Sequence, residues 1–504
     1  MMNMERFLKK KFGFDEFRPG QKEVIESLLS GRHTLAMLPT GSGKSLCYQL
    51  PAYLLNKTVL IVSPLLSLMQ DQADQLKMNG EKSVLTLNSF LTLHQKREAF
   101  DRLHDYRFIF LSPEMLSLDG VIQSLKSIEI GLFVIDEAHC ISQWGYDFRP
   151  DYLNLGEVRR ELNDPLTLAL TATATNGVRE DIVSKLNIGQ AKEIVSSVDR
   201  ENIAILIERM DGYEDKQSRV LELVREYAGS GIIYFSSKKV AEAVTGFLQE
   251  NGIDSVNYYH GGMEQEQRML IQQQFISGQL KMICATSAFG MGVNKADVRY
   301  VIHFHMPSTM EAYLQEIGRA GRDQKQSVAI LLYSEGDEGL PLHLMEQQLP
   351  TDAQIEGVCS YLHDSGTSVA NFTVQEKEQL SQFFSLNEIQ SRFFTQLIEA
   401  NENPLHQVVK MKEYCKKRKV ANQEKLHTFL NWIYRKECRR LGVLDYFDEK
   451  QQAVNQQCCD NCGMNAQKMI DVWPDVLLDQ VNSYSTWKEE LAFILLKREN
   501  GNEK

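Results

Sequence analysis

The sequence has no apolar run long enough to cross a bilayer and no recognisable signal peptide. None of its apolar stretches approaches the roughly 18 consecutive residues that a membrane-spanning helix needs. The N-terminal segment MMNMERFLKKKFGF is charged and has no apolar core. These absences disfavour membrane and secreted classes, so we expect a cytoplasmic protein with no membrane partner.

Cysteines are few, and most of them stand alone. The chain has nine cysteines in 504 residues, and they do not form a disulfide framework. Cys47, Cys140, Cys284 and Cys359 lie singly in ordinary segments, which is typical of small core residues. Only the segment 438–462 contains several cysteines close together.

The chain also lacks a surplus of positive charge. Its formal net charge of −12, taken alone, disfavours a polyanionic partner. The charge is uneven, however, because residues 410–440 carry eleven Lys and Arg against three Glu, a balance of +8. Most such runs are solvated helix faces, and the alternative is a surface for a polyanion.

The pattern of apolar runs predicts two α/β lobes. A length of 504 residues suggests about three domains, and 43% apolar with 24% charged residues is typical of a globular protein. Short apolar runs without polar alternation are separated by helical patterns, which predicts parallel sheets covered on both faces. The first series is 33–38, 58–64, 107–113, 132–137 and 166–173, and the second is 230–237, 255–260, 282–288, 298–304 and 327–333.

The texture of the sequence changes after residue 340. The join between the two lobes is expected near 205–216, where RMDGYEDK breaks the strand pattern. Residues 341–440 are helical by period, and Thr486 and Glu489 form a capping box for a last helix at 487–498. We therefore predict four segments, namely 1–205, 206–340, 341–470 and a helical tail at 471–504.

The segment MLPTGSGKSLCYQ follows a predicted strand and opens a helical pattern, as a phosphate-binding loop does. Gly41 and Gly43 let the backbone N–H groups face phosphate oxygens, Lys44 supplies a positive charge, and Ser45 offers a hydroxyl to Mg²⁺. Leu38 stands where the strict pattern has glycine, so the loop is a variant form. The alternative is a glycine-rich turn without a ligand, which the adjacent Lys-Ser pair disfavours.

Two acids end the predicted strand 132–137. Asp136 is placed to hold Mg²⁺, and Glu137 to orient and polarise an attacking water. The alternative is that the two acids cap a helix. A further cluster comprises Cys438, Cys458, Cys459 and Cys462, and thiolates at this spacing favour tetrahedral Zn²⁺ over buried reduced cysteines.

Several motifs together carry a family resemblance. DEAH, TGSGKS, LTATAT and QEIGRAGRD resemble the motifs of a superfamily 2 helicase. The loop HCISQWGYDFRPDY, with FGFDEFRPGQ, FGMGVNKADVRYVIH and CRRLGVLDYFDE, narrows the resemblance to the RecQ family of DNA helicases, over roughly residues 7–463. The resemblance implies two RecA-like parallel-sheet lobes followed by a helical and zinc-binding module. It also implies ATP, Mg²⁺ and Zn²⁺ as ligands, and single-stranded and duplex DNA as partners.

The resemblance also assigns roles to single residues. Phe14 would stack on the adenine that Arg18 and Gln21 read, although the family often has Tyr at the position of Phe14. His139 and the TAT segment would couple the nucleotide pocket to DNA, and Arg322 is favoured over Arg319 as the arginine finger. The implied phosphate-binding residues are Thr40, Gly41, Ser42, Gly43, Lys44 and Ser45, the catalytic ones Lys44, Asp136, Glu137, Gln315, Arg319 and Arg322, and the coupling ones His139, Thr171 and Thr173.

An aromatic loop follows the DEAH strand. Trp144, Tyr146, Phe148 and Arg149 have side chains that stack on unpaired bases or bind phosphate. The alternative is a small satellite core, which would be the usual interpretation of such aromatic residues. The family resemblance favours a loop that senses single-stranded DNA and triggers ATP hydrolysis.

The chain departs from the family pattern near its end. Only 42 residues follow Cys462, too few for a winged helix, so we expect a short RecQ variant. Cys458 and Cys459 are adjacent, unlike the usual ligand spacing, so Cys415 is an alternative fourth zinc ligand. The expected function is an ATP-dependent 3′–5′ DNA helicase acting in DNA repair or recombination. The alternatives are a superfamily 2 RNA helicase and a zinc-containing DNA-binding scaffold with a silent ATP site.

Overall fold

The computed structural model describes most of the chain. It covers residues 4–64, 66–88, 91–116, 120–142, 150–227, 229–290, 295–366, 372, 374–398, 403–449 and 458–465. Within these ranges, no helix has both the length and the apolar character of a bilayer span. The predicted tail 471–504, with its helix at 487–498, lies outside the described residues.

The first lobe is built on a seven-stranded parallel sheet with the order β3-β4-β2-β5-β6-β1-β7. Alternate residues of its strands face two separate cores, since Leu35 and Met37 enter one and Ala36 the other. Burial on both faces explains why these strands are continuous apolar runs. The strands are β1 Thr34–Met37, β2 Thr58–Val62, β3 Val84–Leu87, β4 Phe108–Leu111, β5 Ile130–Ile135, β6 Thr167–Thr171 and β7 Lys192–Val195.

Nine helices of the described residues surround this sheet. A local signal starts α5, where Thr92 and Gln95 form a capping box. The helices are α1 Met4–Phe12, α2 Gln21–Leu29, α3 Leu46–Leu55, α4 Leu66–Met78, α5 Leu93–Asp101, α6 Pro113–Leu116, α7 Val121–Leu125, α8 Leu155–Glu161 and α9 Asn176–Lys185.

The second lobe has a six-stranded parallel sheet with the order β10-β11-β9-β12-β13-β8. Two parallel-sheet lobes were predicted, and the structure confirms this. The strands are β8 Ile203–Arg209, β9 Ser230–Tyr234, β10 Val256–Tyr259, β11 Met282–Ala285, β12 Val298–His303 and β13 Ser327–Tyr333, and the helices are α10 Tyr213–Glu226, α11 Lys238–Glu250, α12 Gln265–Ser277 and α13 Met310–Ile317.

Three strands were not predicted, and one of them moves the join between the lobes. β8 pairs along its whole length with β13, so the chain has entered the second sheet by Ile203. The segment RMDGYEDK at 209–216 contains the end of β8, the turn at 210–212 and the start of α10, rather than the crossing between lobes. β3 has only four residues, and β7 is a largely exposed edge strand, so neither produces a strong apolar run.

Residues 341–440 are helical, as predicted. The core of this region includes Val358, Phe394, Met411 and Cys415, which pack between α15, α17 and α18. Asn403 caps the 31-residue α18 and Pro404 opens it, as is usual at helix starts. The helices are α14 Gly339–Gln347, α15 Asp352–Ser365, α16 Val374–Phe383, α17 Glu388–Leu397, α18 Pro404–Tyr434 and α19 Arg439–Tyr446.

The second half of α18 docks on the second lobe through aromatic side chains. The ring of Tyr313 in α13 lies 5.6 Å from the ring of Phe429 and 5.1 Å from that of Trp432. The guanidinium of Arg209 lies 4.3 Å from the ring centroid of Tyr434, a cation–π distance. This packing fixes the end of α18, and with it the cysteine segment, against the second lobe.

Candidate nucleotide site and four-cysteine module

The loop between β1 and α3 requires its glycines. Gly41 and Gly43 have φ of +83° and +76°, a backbone conformation that residues other than glycine rarely adopt. A Cβ atom at Gly41 would lie 2.9 Å from Cγ of Arg322, and one at Gly43 would lie 2.9 Å from Nε2 of Gln21. Two neighbours therefore approach the backbone of this loop more closely than a side chain would permit.

The residues predicted to read adenine contact the same loop. Nε2 of Gln21 donates to the carbonyl oxygens of Ser42 at 2.7 Å and Gly43 at 3.0 Å. The guanidinium of Arg18 donates to the carbonyl of Gly41. The backbone N–H of Arg18 donates to Oε1 of Gln21 at 2.9 Å. Phe14 is 54% exposed, which suits a ring that stacks on a ligand.

Ser45 is held by a residue that the sequence did not reveal. Its hydroxyl donates to Oε1 of Gln72 at 3.2 Å, and the hydroxyl of Tyr48 donates to the same oxygen. Gln72 lies on α4, 27 residues away along the chain, so no local spacing pattern connects it with the loop. The half-buried Lys44 precedes Ser45 directly, and α3 begins at Leu46.

Asp136 and Glu137 form a buried acidic pair at the end of β5. Each is 7% exposed, and the backbone N–H of Glu137 donates to Oδ1 of Asp136 at 3.0 Å. Burial, and then the charge of Glu137, raise the pKa of Asp136 to about 7, although Lys44 opposes this shift. Buried negative charge without full compensation is costly, so the pair fits a divalent cation. Asp136 and Ser45 would hold Mg²⁺, which neutralises charge on phosphate oxygens when bound.

A chain of polar contacts leads from the acidic pair to the TAT segment. Nδ1 of His139 lies 3.4 Å from Oε2 of Glu137 and is hydrogen-bonded to the hydroxyl of Thr171 at 3.0 Å. That hydroxyl donates to the carbonyl of Thr173 at 3.2 Å. Because β5 and β6 are neighbours in the sheet, the structure brings these predicted coupling residues together.

The second lobe brings an arginine to the phosphate-binding loop. Gln315 lies on α13, and Arg319 and Arg322 follow in the next turn. The guanidinium of Arg319 donates to the carbonyl of Gly290, whereas the aliphatic part of Arg322 packs against Gly41. Burial, and then the nearby charge of Arg319, lower the pKa of Arg322 to about 9. A half-buried arginine beside this loop suits an anionic ligand.

Arg200 is a second residue that the sequence did not reveal. One of its terminal nitrogens donates to the carbonyls of Thr40 at 3.0 Å and Gly318 at 3.4 Å. The other donates to those of Ala320 at 3.1 Å and Gly321 at 2.7 Å. A single side chain thus connects the phosphate-binding loop with the turn that carries Arg322. An isolated arginine between two strands gives no pattern by which to find it.

The aromatic loop lies outside the described residues. Trp144, Tyr146, Phe148 and Arg149 therefore have no structural account, and their role stays a prediction. The described residues resume at 150, and the buried hydroxyl of Tyr152 donates to the backbone carbonyl of Asp136 at 3.1 Å. The segment after the loop is thus anchored to the acidic pair.

The four predicted cysteine ligands meet at one point. The sulfur atoms of Cys438, Cys458, Cys459 and Cys462 all lie within 4.8 Å of one another. The Cys438–Cys458 distance is 3.4 Å and the Cys438–Cys459 distance is 3.9 Å, close to the about 3.8 Å that tetrahedral Zn–S bonds would give. The sulfur donor set fits Zn²⁺. Cys415 belongs instead to the core beneath α18, so the adjacent cysteines are not replaced by it.

Comparison with known proteins agrees with this geometry. The family model described as DEAD/DEAH box helicase matches residues 18–181, and helicase conserved C-terminal domain matches 215–324. The probable ATP-dependent DNA helicase RecS of Bacillus subtilis is 44% identical over 467 residues, covering 92% of this chain and 93% of that protein. ATP-dependent DNA helicase RecQ of Haemophilus influenzae is 40% identical over 352 residues, covering 69% and 56%. This chain belongs to the RecQ helicase family.

Solved structures show the same fold at lower sequence identity. The DNA-bound DUF1998 helicase MrfA gives a TM-score of 0.57 at 20% identity, covering 66% of this chain and 51% of that chain. Saccharomyces cerevisiae Dbp5 bound to RNA and ADP BeF3 gives 0.55 at 19%, covering 68% and 90%. At such identities the likeness concerns the fold alone. This RecQ-family chain spans about half of the Haemophilus RecQ but nearly all of RecS.

The basic stretch 410–440 is less available for a polyanion than its charge suggests. At least six of its eleven basic side chains form ion pairs, and Arg439 and Arg440 are buried. These six are Lys412, Lys417, Lys425, Arg435, Arg439 and Arg440. The exposed lysines are Lys410, Lys416, Lys417 and Lys419 on the first half of α18, and Lys436 beyond its end.

Proposed function

We propose that this protein is an ATP- and Mg²⁺-dependent DNA helicase that moves 3′ to 5′ on single-stranded DNA and unwinds duplex DNA. The observation that carries the proposal is the packing of Arg322, from the second lobe, on Gly41 of the phosphate-binding loop. A cation from the opposite lobe stabilises the charge of phosphoryl transfer only when both lobes close on the nucleotide.

The roles of the other residues follow from their positions. Lys44 and the backbone of Thr40–Ser45 would bind the phosphates, and Glu137 would orient water and accept its proton. Its buried Oε2 makes no hydrogen bond within the described residues and has Nδ1 of His139 at 3.4 Å, which leaves it able to accept a hydrogen bond from water. His139 and Thr171 would transmit the state of the site towards the DNA.

The wider assignment is part of the same proposal. We assign 1–202 and 203–340 to the two helicase lobes, in place of the predicted 1–205 and 206–340, because β8 begins at Ile203 and pairs with β13 of the second sheet. We assign 341–470 to the helical and zinc-binding module and 471–504 to a tail. Cys438, Cys458, Cys459 and Cys462 would bind one Zn²⁺. The relatives named DNA helicases support action on DNA, and a role in DNA repair or recombination is proposed from the family resemblance. Reduced thiols at a zinc site suit the cytoplasm.

The test is ATP turnover by the purified full chain without nucleic acid, with single-stranded DNA, and with RNA of the same sequence. We expect DNA to stimulate turnover strongly, and Lys44→Ala to lower the stimulated rate by about 100-fold or more. Lys126→Ala, which breaks only a surface ion pair with Glu161, is the control. Equal turnover with and without DNA would refute the helicase proposal, and stimulation by RNA alone would favour an RNA helicase.

Polarity requires a second measurement. Duplexes with a single-stranded tail at the 3′ or the 5′ end distinguish the two directions, because a 3′–5′ motor must load on the 3′ tail. We expect displacement only from the 3′-tailed substrate. DNA binding without ATP turnover or strand displacement would favour the scaffold with a silent ATP site.

A further inference from the structure

The segment 196–202, which joins β7 of the first sheet to β8, is held by residues 439–449, which together with Cys438, Cys458, Cys459 and Cys462 we call the four-cysteine module. We call 196–202 the connecting segment. The carboxylate of Glu449 accepts from the hydroxyl of Ser197 at 2.5 Å and from the backbone N–H of Val198 at 2.8 Å. The guanidinium of Arg440 pairs with Asp199 and donates to the carbonyl of Ile203 at 2.7 Å.

The side chain after Asp199 faces the nucleotide site. Arg200 donates to carbonyls on both sides of the cleft, with Thr40 in the first lobe and Gly318, Ala320 and Gly321 in the second. Consecutive residues therefore bind the cysteine module and the cleft. Among the described residues of the connecting segment, Arg200 alone is hydrogen-bonded to the phosphate-binding loop.

The cysteine module is itself joined to the second sheet at the end of the connecting segment. The backbone N–H of Ile205, in β8, donates to the carbonyl of Cys458 at 3.2 Å, and Ile205 and Cys459 form a parallel bridge. Arg440 lies two residues after Cys438, so the group that pairs with Asp199 is carried by the module. A shift of the module would therefore move both ends of the connecting segment.

Asn202, at the end of the connecting segment, also holds the turn of the second lobe that carries Arg322. Its side-chain amide donates to the carbonyls of Gly321 and Lys325, both at 2.8 Å. The partial burial of Arg200, and then the nearby charge of Arg18, lower the pKa of Arg200, whereas Asp323 and Asp199 raise it. Arg200 is thus a half-buried cation whose guanidinium is held by backbone carbonyls on both sides of the cleft.

We propose that Arg200 is a positioning residue for ATP hydrolysis, and that the connecting segment couples the four-cysteine module to the nucleotide cleft. Arg200 holds the phosphate-binding loop and the Arg322 turn in register, and the Asp199–Arg440 pair holds Arg200 in place. This inference rests on the proposed ATPase function. It extends that function, because it gives the cysteine module a role in setting the rate.

A purely structural role would have a different kinetic signature. If Arg200 only stabilised the fold, its loss would lower the amount of folded protein without changing the rate per folded molecule. If it positions Arg322, its loss lowers kcat while ATP binding, which Lys44 and the loop backbone provide, changes little. The ratio of the two effects therefore distinguishes positioning from folding.

The first experiment compares Arg200→Ala and Arg200→Lys with Arg219→Ala. Arg219 on α10 binds Glu208 of β8 at 2.7 and 3.1 Å, so it is an arginine of the second lobe that lies outside the cleft. We expect Arg200→Ala to lower DNA-stimulated kcat by about 10- to 100-fold, with KM for ATP changed less than about 3-fold. Arg200→Lys should be intermediate, because one ammonium group cannot reach four carbonyls.

The second experiment tests the link to the cysteine module. Asp199→Asn, Arg440→Gln and the double variant form a cycle, with thermal unfolding and zinc content measured on each. We expect each single variant to lower kcat by about 3- to 10-fold, and the double variant to lose no more than the worse single variant. Zinc content should stay unchanged, since neither residue is a sulfur ligand.

The outcomes separate the two proposals. If the wild-type chain hydrolyses ATP in response to DNA and Arg200→Ala turns over like Arg219→Ala, the positioning role is wrong while the helicase proposal stands. Unchanged kcat in both Asp199→Asn and Arg440→Gln would overturn the coupling to the module. A wild-type chain that does not hydrolyse ATP with any nucleic acid would overturn both proposals.

Discussion

At the scale of single residues, the burial of Asp136 lowers the stability of the fold at neutral pH. Its carboxyl is buried next to Glu137, so its pKa rises from its ordinary value of 3.8 to about 7. The unfolded chain ionises this carboxyl near pH 4. Folding at neutral pH must therefore bury a charge that water solvates better, which is expected at a site selected for a cation rather than for stability.

The sign of the pH effect follows from this shift. Because the folded-state pKa is raised, the folded chain keeps a proton that the unfolded chain releases between about pH 4 and pH 7, and stability falls as pH rises through that window. Without nucleotide and in a chelator, Asp136→Asn should be more stable than wild type at pH 8 by about 1–4 kcal/mol. Urea unfolding over a pH series measures this difference.

The gain from Asp136→Asn should shrink as the pH falls towards 4. The exposed Asp101→Asn is the control, because a surface carboxyl on α5 has no comparable burial to relieve. A gain that is independent of pH would contradict the assigned cause. The same Asp136→Asn variant should lose ATP turnover, since the neutral amide is a poorer ligand for Mg²⁺.

At the scale of elements, a glycine in β9 allows the second sheet to pack. β9 lies between β11 and β12, and a Cβ atom at Gly231 would lie 1.9 Å from Cε2 of the buried Tyr300. Gly231→Ala should therefore destabilise the protein by about 1–3 kcal/mol. Thermal or urea unfolding of the full chain measures the change.

A matched glycine in the same lobe should behave oppositely. Gly246 lies inside α11, and nothing lies within 4 Å of the position of its Cβ. Gly246→Ala should stabilise the protein by about 0.5–1 kcal/mol, because alanine loses less backbone entropy in a helix. Two variants with the same sign of effect would show that the close approach of Tyr300 is not the cause.

The four-cysteine module makes a prediction about metal content. Wild-type protein should contain about one zinc per chain, the content of one four-ligand site. Cys459→Ser, which alters a fully buried member of the cluster, should lose that zinc and unfold at a lower temperature. Cys415→Ala should keep the zinc, because Cys415 lies on the buried face of α18. Metal analysis showing equal zinc in both variants, or none in wild type, would contradict the site.

At the scale of the whole molecule, three contacts converge on the cleft between the lobes. The acidic pair reaches the TAT segment through His139, the second lobe delivers Arg322, and the cysteine module holds Asp199. Nucleotide state and DNA contact can influence each other only through such connections, because the ligands occupy different surfaces. A coupling of this kind is measurable as a change in the DNA dependence of turnover.

The aromatic loop should be one such connection. Trp144→Ala removes a stacking surface that we expect to contact unpaired bases, and stacking contributes about 1–3 kcal/mol per base. ATP turnover should lose most of its stimulation by single-stranded DNA, whereas ATP affinity should stay close to that of wild type. Titration of DNA at saturating ATP measures the effect, and the surface variant Lys126→Ala provides the control. Full stimulation in Trp144→Ala would contradict the sensor role.

Local chemistry explains how much of the fold could be predicted. Strands buried on both faces are continuous apolar runs, so ten of the thirteen strands of the described residues were anticipated from the sequence. The four-residue β3 and the exposed β7 lack such a run. β8 is apolar, but the strength of the break after it placed the join between lobes too late in the chain.

The residues of the candidate site also fall into two groups, those that the sequence predicted and those that it did not. The sequence predicted the residues that lie in the segments following strands, where backbone geometry and side-chain chemistry coincide. These residues are Gly41, Lys44, Ser45, Asp136 and Glu137. Gln72, Arg200 and the Asp199–Arg440 pair could not be predicted, because each acts on a partner that is distant along the chain. No periodicity or spacing marks an interaction of that kind.

The sequence by itself determined the class of fold, the phosphate-binding loop, the acidic pair and three of the four sulfur donors, Cys438, Cys459 and Cys462, because each depends on residues within one short segment. Only the tertiary structure decided that Cys458 rather than Cys415 joins the cluster, that Arg322 rather than Arg319 packs on Gly41, and that Arg200 connects the lobes. These choices depend on which elements pack together, and packing is set by the whole chain.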